Sequence, residues 1–240
     1  MISFFFKKKT VTVDCFTSNY SAYTLFPIQK ANKFFPAWWK NLESSYQERT
    51  DTGLVIPRPT IKRCEGILNL YQPGFMIPMW TDLIVETANN AVKFAFADGE
   101  SSIATHGREQ MSTEFEPYIH GKLICPWRLT EKTGVKFLFL QPSWNHISLL
   151  MNMHIVPGIV EYKYQHTANI NILLARNKRF NFAAGDPVAH LIPLGDQEVN
   201  LKLHLVDKNE LSRMPEGSRT FPFFLSSYRK TKKILDNENT

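Results

Sequence analysis

Residues 158–194 read GIVEYKYQHTANINILLARNKRFNFAAGDPVAHLIPL, and their order decides the fold. Gly158-Ile159-Val160-Glu161 reads as a short strand, and Ile170-Asn171-Ile172-Leu173-Leu174 as a tight apolar one. A return strand is closed by Gly185-Asp186-Pro187-Val188-Ala189-His190-Leu191. Pro157-Gly158 and Gly185-Asp186 have turn chemistry, whereas Val188, Ala189, Leu191 and Ile192 suit a core.

Working outward, the same grammar recurs. Val11, Val13 and Cys15 alternate with Thr10, Thr12 and Asp14, as in a half-buried strand. Leu83-Ile84-Val85 and Val92-Lys93-Phe94-Ala95-Phe96 predict a hairpin around Asn89-Asn90, and Asp98-Gly99 a further turn. Strands are expected at residues 123–125 and 135–140, and alternation over Val199, Leu201, Leu203 and Leu205 predicts the last. Residues 26–40 are the best helical segment, with Phe34/Trp38 and Phe35/Trp39 four apart and Pro36 ending one turn and opening another. This aromatic element reads as a cap on one end of a β-structure. Residues 43–60 are polar and proline-containing, as in a surface loop, and residues 215–233 read as an aromatic loop and a short basic helix. Short strands, frequent turns and little helix argue an all-β barrel or sandwich with short N- and C-terminal helices. The expected organisation is one β-rich domain over residues 1–240. Residues 10–60 would form an N-terminal strand and aromatic helix, residues 61–206 the β core and residues 207–240 a C-terminal tail.

Composition narrows the function classes. The chain of 240 residues is 43% hydrophobic and 21% charged, which fits a globular protein. Its net charge of +6 mildly favours phosphate or an acidic partner. Cys15, Cys64 and Cys125 are scattered, with no CxxC pair, so neither zinc nor a disulfide framework is indicated. The run Ile2-Ser3-Phe4-Phe5-Phe6 is too short for a secretion signal, and no stretch has the length of a membrane span. G-x-S-x-G, P-loop and Rossmann patterns are absent. His106 and Gln110 lie in a polar island, readable as a loop or as a pair projecting into a pocket. His146, His154 and Glu161 carry no metal-ligand spacing, and no metal is expected. No strand interleaves basic and aromatic residues, which ranks nucleic acid low.

Residues 158–194 resemble the centre of the trimeric dUTPase family, whose core is a β-clip. The family motif Gly-x-[Ile/Val]-Asp-x-x-Tyr-x-Gly is matched by Gly158-Ile159-Val160-Glu161-Tyr162-Lys163-Tyr164-Gln165-His166, and Gly-Asp-x-[Ile/Val]-Ala-Gln-[Leu/Ile/Met] by Gly185 to Leu191. The resemblance implies a carboxylate at Glu161 that activates water and a Tyr164 ring that packs on deoxyribose. It places His166 and His190 where the family has Gly and Gln, and Pro126-Trp127-Arg128 only faintly echoes a phosphate loop. Glu161 carries one methylene more than the expected Asp, and a displacement near ~1 Å can cost on the order of 100-fold in rate.

Other pieces, among them Phe35-Pro36-Ala37-Trp38-Trp39-Lys40, Ile61-Lys62-Arg63-Cys64-Glu65-Gly66 and Gly74-Phe75-Met76-Ile77-Pro78, resemble a family of bacterial and tailed-phage proteins without an established activity. Together these resemblances imply a phage-type β-clip module in the cytoplasm of the infected host cell or in the virion. The expected function is non-catalytic binding of a nucleotide-like ligand or a protein partner through Tyr164, Glu161, His166, His190 and Arg128. Two alternatives stand beside it: a virion or assembly protein, and a divergent nucleotide pyrophosphatase with Glu161 as base and Mg²⁺ as cofactor. A homotrimer or virion proteins are the expected partners, and no cofactor is expected of a non-catalytic module.

Overall fold

The computed structural model describes residues 10–89, 91–107, 110–145, 152–214 and Lys232. In chain order, β1 (Thr10–Thr17) precedes α1 (Tyr20–Thr24) and β2 (Gln29–Lys30). Helix α2 (Ala37–Asn41), β3 (Ser45–Arg49), β4 (Val55–Pro59) and α3 (Glu65–Tyr71) follow. Then come β5 (Phe75–Pro78), β6 (Leu83–Thr87), β7 (Val92–Phe96), β8 (Ile103–Thr105) and β9 (Tyr118–Leu123). The remaining strands are β10 (Arg128–Thr130), β11 (Lys136–Leu140), β12 (Met153–Ile155), β13 (Gly158–Glu161), β14 (Ile170–Ala175), β15 (Arg179–Phe182), β16 (Pro187–Leu194) and β17 (Glu198–Leu205), before α4 (Lys208–Arg213). The chain is predominantly β, in several sheets, with no closed barrel among the described residues.

The deciding stretch forms four strands where three are expected, and they join three different sheets. Strands β13 and β16 lie in the five-stranded sheet β13-β11-β16-β5-β2. Strand β14 belongs to β12-β14-β9-β8, and β15 to β15-β6-β7. The stretch therefore ties the sheets together. The extra strand comes from a turn at Asn177, whose φ of 56° lies in the left-handed region that Asn tolerates. Gly158 is strand, not turn, and a side chain there would meet open space. The Gly185 turn is present: φ is 92°, the Gly185 N–H donates to the Met79 carbonyl at 2.8 Å, and the Asp186 carboxylate accepts from the Ala183 N–H at 3.0 Å.

Alternation predicts β1 well, and Val11, Val13 and Cys15 are buried. The strand is more than N-terminal dressing, however. It lies between β10 and β17, antiparallel to the first and parallel to the second over Thr10↔Glu198 to Thr17↔Leu205. Its side chains join a core that runs from Val11 to Val199 through Trp80, Trp127, Phe137 and Ile170. The β6–β7 hairpin is also found, closed by the Ala88 N–H on the Ala91 carbonyl at 2.8 Å.

Three expectations need correction. Residues 43–60 form the β3–β4 hairpin, almost wholly exposed, in which Gly53 at φ 82° makes the turn. Pro57 and Pro59 hide this strand from a sequence reading, because proline is tolerated only at edges. The strand expected at residues 123–125 is β9, which begins at Tyr118 and ends at Leu123. The helix expected over residues 26–40 is reduced to a 3₁₀ turn at Ala31–Phe34 and α2, with Pro36 as its N-cap. Its aromatic rings pack in a second cluster: Phe35 stacks on Trp39 at 4.1 Å and on Tyr71 at 4.4 Å.

Candidate functional site

The structure brings four of the five expected site residues together. Glu161 ends β13 at 7% exposure, and its carbonyl accepts from the N–H groups of Tyr164 and Gln165 at 3.1 and 3.0 Å. That tight turn sets Tyr164 beside it. His166 follows, with Nδ1 3.2 Å from the Leu129 carbonyl, and the Leu129 N–H donates to the His166 carbonyl at 2.8 Å. Burial pulls the His166 pKa down, against its hydrogen bonds to the Leu129 and Tyr162 backbone, while the Arg128 charge adds to the depression. Arg128 opens β10 and donates to the Met214 carbonyl at 2.7 Å.

This cluster is filled. Lys232 Nζ donates to both Glu161 oxygens at 3.0 and 3.1 Å and lies 5.2 Å from the centre of the Tyr164 ring. Lys163 Nζ is 5.0 Å from the same ring. Tyr164 is only 4% exposed and is not among the residues lining the cavities of about 560, 300 and 270 Å³.

His190 stands apart. It is buried on β16, tilted against the Tyr71 ring at 5.5 Å, and lines a separate cavity of about 300 Å³ with Leu70, Gln141 and Trp144. Gly74 gives it room, since a Cβ there would collide with Nε2. Burial lowers its pKa to about 4, so the ring is neutral at pH 7. His146, expected near the site, lies outside the described residues.

A cavity of about 560 Å³ lies elsewhere, against the sheet β12-β14-β9-β8. That volume falls in the range of small-molecule sites. Register explains its contents. Leu173 pairs with His154 on one side and with His120 on the other, and the His106 N–H donates to the His120 carbonyl at 3.1 Å. One cross-strand row thus carries His154, Leu173, His120 and His106. On β9, Gly121 and Leu123 turn inward, while Tyr118, His120 and Lys122 share the opposite face. The His106 and His120 rings stack at 4.3 Å and 20°. Val92, Met111, Phe115 and Ile119 supply apolar wall.

The His120 ring is the chemically unusual member. Both of its nitrogens are buried, and neither has a hydrogen-bond partner among the described residues. Desolvation lowers its pKa, and the neighbouring His106 adds to the shift. A neutral imidazole presents one donor and one acceptor, so this ring has hydrogen-bonding capacity that the protein does not use. Arg176 lies on the cavity wall, donating to the backbone carbonyls of Glu116 at 2.6 Å, of Tyr118 at 3.2 Å and of Asn89. These neutral acceptors hold the guanidinium without cancelling its charge. Glu116 lies at the rim as an exposed carboxylate.

Of this site, the sequence pointed only to His106. Gln110, its expected companion, is exposed and does not line the cavity. The signal for His120 was the alternation of Tyr118, His120 and Lys122 against Ile119, Gly121 and Leu123. Among the described residues, no group of three or more His, Cys, Asp or Glu side chains could hold a metal ion, and no helix is long and apolar enough to cross a membrane. Comparison with known proteins finds neither a protein-family model nor a curated protein that matches this chain.

Proposed function

We propose that the protein is a non-catalytic binding module whose ligand, a nucleotide-like molecule, enters the cavity beside His106 and His120. The observation that carries this reading is the pair of buried, unpartnered nitrogens on His120 in a cavity of about 560 Å³. A planar heterocycle with donors and acceptors on its edge satisfies such a ring once the His120 ring, whose nitrogens are shielded in the structure, rotates toward the cavity, and the apolar walls accept its faces. The guanidinium of Arg176, whose bonds go to backbone carbonyls, favours an anionic group on the same ligand. The β-clip reading of residues 158–194 stays within this proposal, and the Gly185-Asp186 turn speaks for it. Against the pyrophosphatase alternative speaks the ammonium on Glu161, since a general base needs its carboxylate free to take a proton from water.

Calorimetric titration with nucleoside monophosphates tests the proposal. Loss of two neutral hydrogen bonds predicts that His120→Leu weakens binding by about tenfold or more. Equal affinity in the variant and the parent chain would place the ligand elsewhere.

A further inference from the structure

The Glu161–Tyr164 cluster has the wrong polarity for a phosphate and the right one for a cation. A carboxylate at 7% exposure sits beside an aromatic ring at 4% exposure, and both face the same Nζ atom. A carboxylate joined to a ring face is the standard means of holding an ammonium group, since the ion pair supplies charge and the ring quadrupole supplies attraction with little desolvation cost. Lys136 stands directly opposite Glu161 in the β11–β13 register, and Lys163 lies over the Tyr164 ring. It is nevertheless Lys232, 71 residues away in sequence, that makes the two hydrogen bonds to the carboxylate. A buried carboxylate left without such a partner is strongly unfavourable, so the site requires a cation whatever its source.

We propose that Glu161 and Tyr164 form a binding site for a primary alkylammonium group, filled within the chain by Lys232. The site is distinct from the His120 cavity. Its ligand class follows from the contacts: an unbranched alkyl chain ending in –NH₃⁺, with two protons on the Glu161 oxygens and the charge over the Tyr164 ring. Removing Lys232 opens the site to an external amine of that kind.

Chemical rescue tests this. Lys232→Ala removes the atoms that n-propylammonium replaces, so thermal unfolding is followed in that variant at rising n-propylammonium concentration, with n-propanol as the neutral isostere. Lys232→Ala is expected to lower Tm by about 5 °C. The amine restores most of that loss with saturation, as binding to the native state requires, and n-propanol does not. In Lys232→Ala with Glu161→Gln the rescue disappears, and parent protein is insensitive to the amine. Lys232→Met supplies a second measurement: it keeps the chain length, loses the charge and should be destabilised like the alanine variant. The proposal is overturned by equal stabilisation from amine and alcohol, by rescue that survives Glu161→Gln, or by a Lys232→Met protein as stable as the parent.

Discussion

Replacing Trp80 by alanine should lower the unfolding free energy by about 4 kcal/mol, within the range for deleting a large core aromatic. Trp80 is 1% exposed and is among the largest fully buried side chains. Its indole N–H donates to Ser101 Oγ at 2.7 Å, and that hydroxyl donates to Asp98 at 2.6 Å, so the ring also anchors the Asp98-Gly99 turn. Its backbone carbonyl accepts from Ser21 Oγ at 2.9 Å, which ties α1 to the same point. The alanine variant loses packing and the Ser101 bond together. Trp80→Phe keeps most of the volume and loses the bond, so it should cost roughly half as much. Urea denaturation of the three proteins checks this order. A Trp80→Ala loss below about 1 kcal/mol would mean that the core does not close around this ring.

Acid should destabilise the fold well above the pH at which carboxylates titrate. His190 carries the largest part: its folded pKa is about 4 against an unfolded value near 6.5. The folded state therefore binds fewer protons than the unfolded state between those values. Stability is complete above about pH 6.5 and falls as pH drops toward about 4, by about 3 kcal/mol from this residue alone. His120 and His166 are shifted in the same direction and add to the loss. Unfolding free energies measured from pH 7 to pH 4 should show this decline, and His190→Leu should flatten it. An unchanged slope in that variant would remove His190 as the cause.

Alternation made β1 legible, and an apolar run made β11 legible, where Phe137 and Phe139 turn inward. Turn chemistry made the β6–β7 hairpin and the Gly185 turn legible. These are local signals, and the structure obeys them. The β3–β4 hairpin escaped because almost every residue is exposed, which leaves no inward face to read. The partition of residues 158–194 among three sheets was illegible for another reason: strand pairing is non-local, and each strand pattern is compatible with several partners. The site divides along the same line. Glu161, Tyr164 and His166 lie within six positions, so a turn brings them together as the motif order suggests. Lys232 reaches them from a distant segment, with no trace in the motif. His106, His120 and His154 share no spacing at all; the register of β12, β14 and β9, and the His106–His120 backbone bond, line them up. His190 was read as part of the site because it substitutes within a motif, yet β16 carries it into a different cavity.

Imidazole nitrogen NMR separates a ligand that meets His120 from one that meets the Glu161–Tyr164 cluster. Histidine-labelled protein is titrated with a nucleoside monophosphate, and ¹⁵N–¹H correlations are followed for each ring. The His120 nitrogens are expected to shift as their hydrogen bonds form, and His106, stacked on the same ring, to move with them. His166, which reports on the Glu161–Tyr164 cluster, should stay in place. Movement of His166 with His120 unchanged would place the ligand at the Glu161–Tyr164 cluster instead.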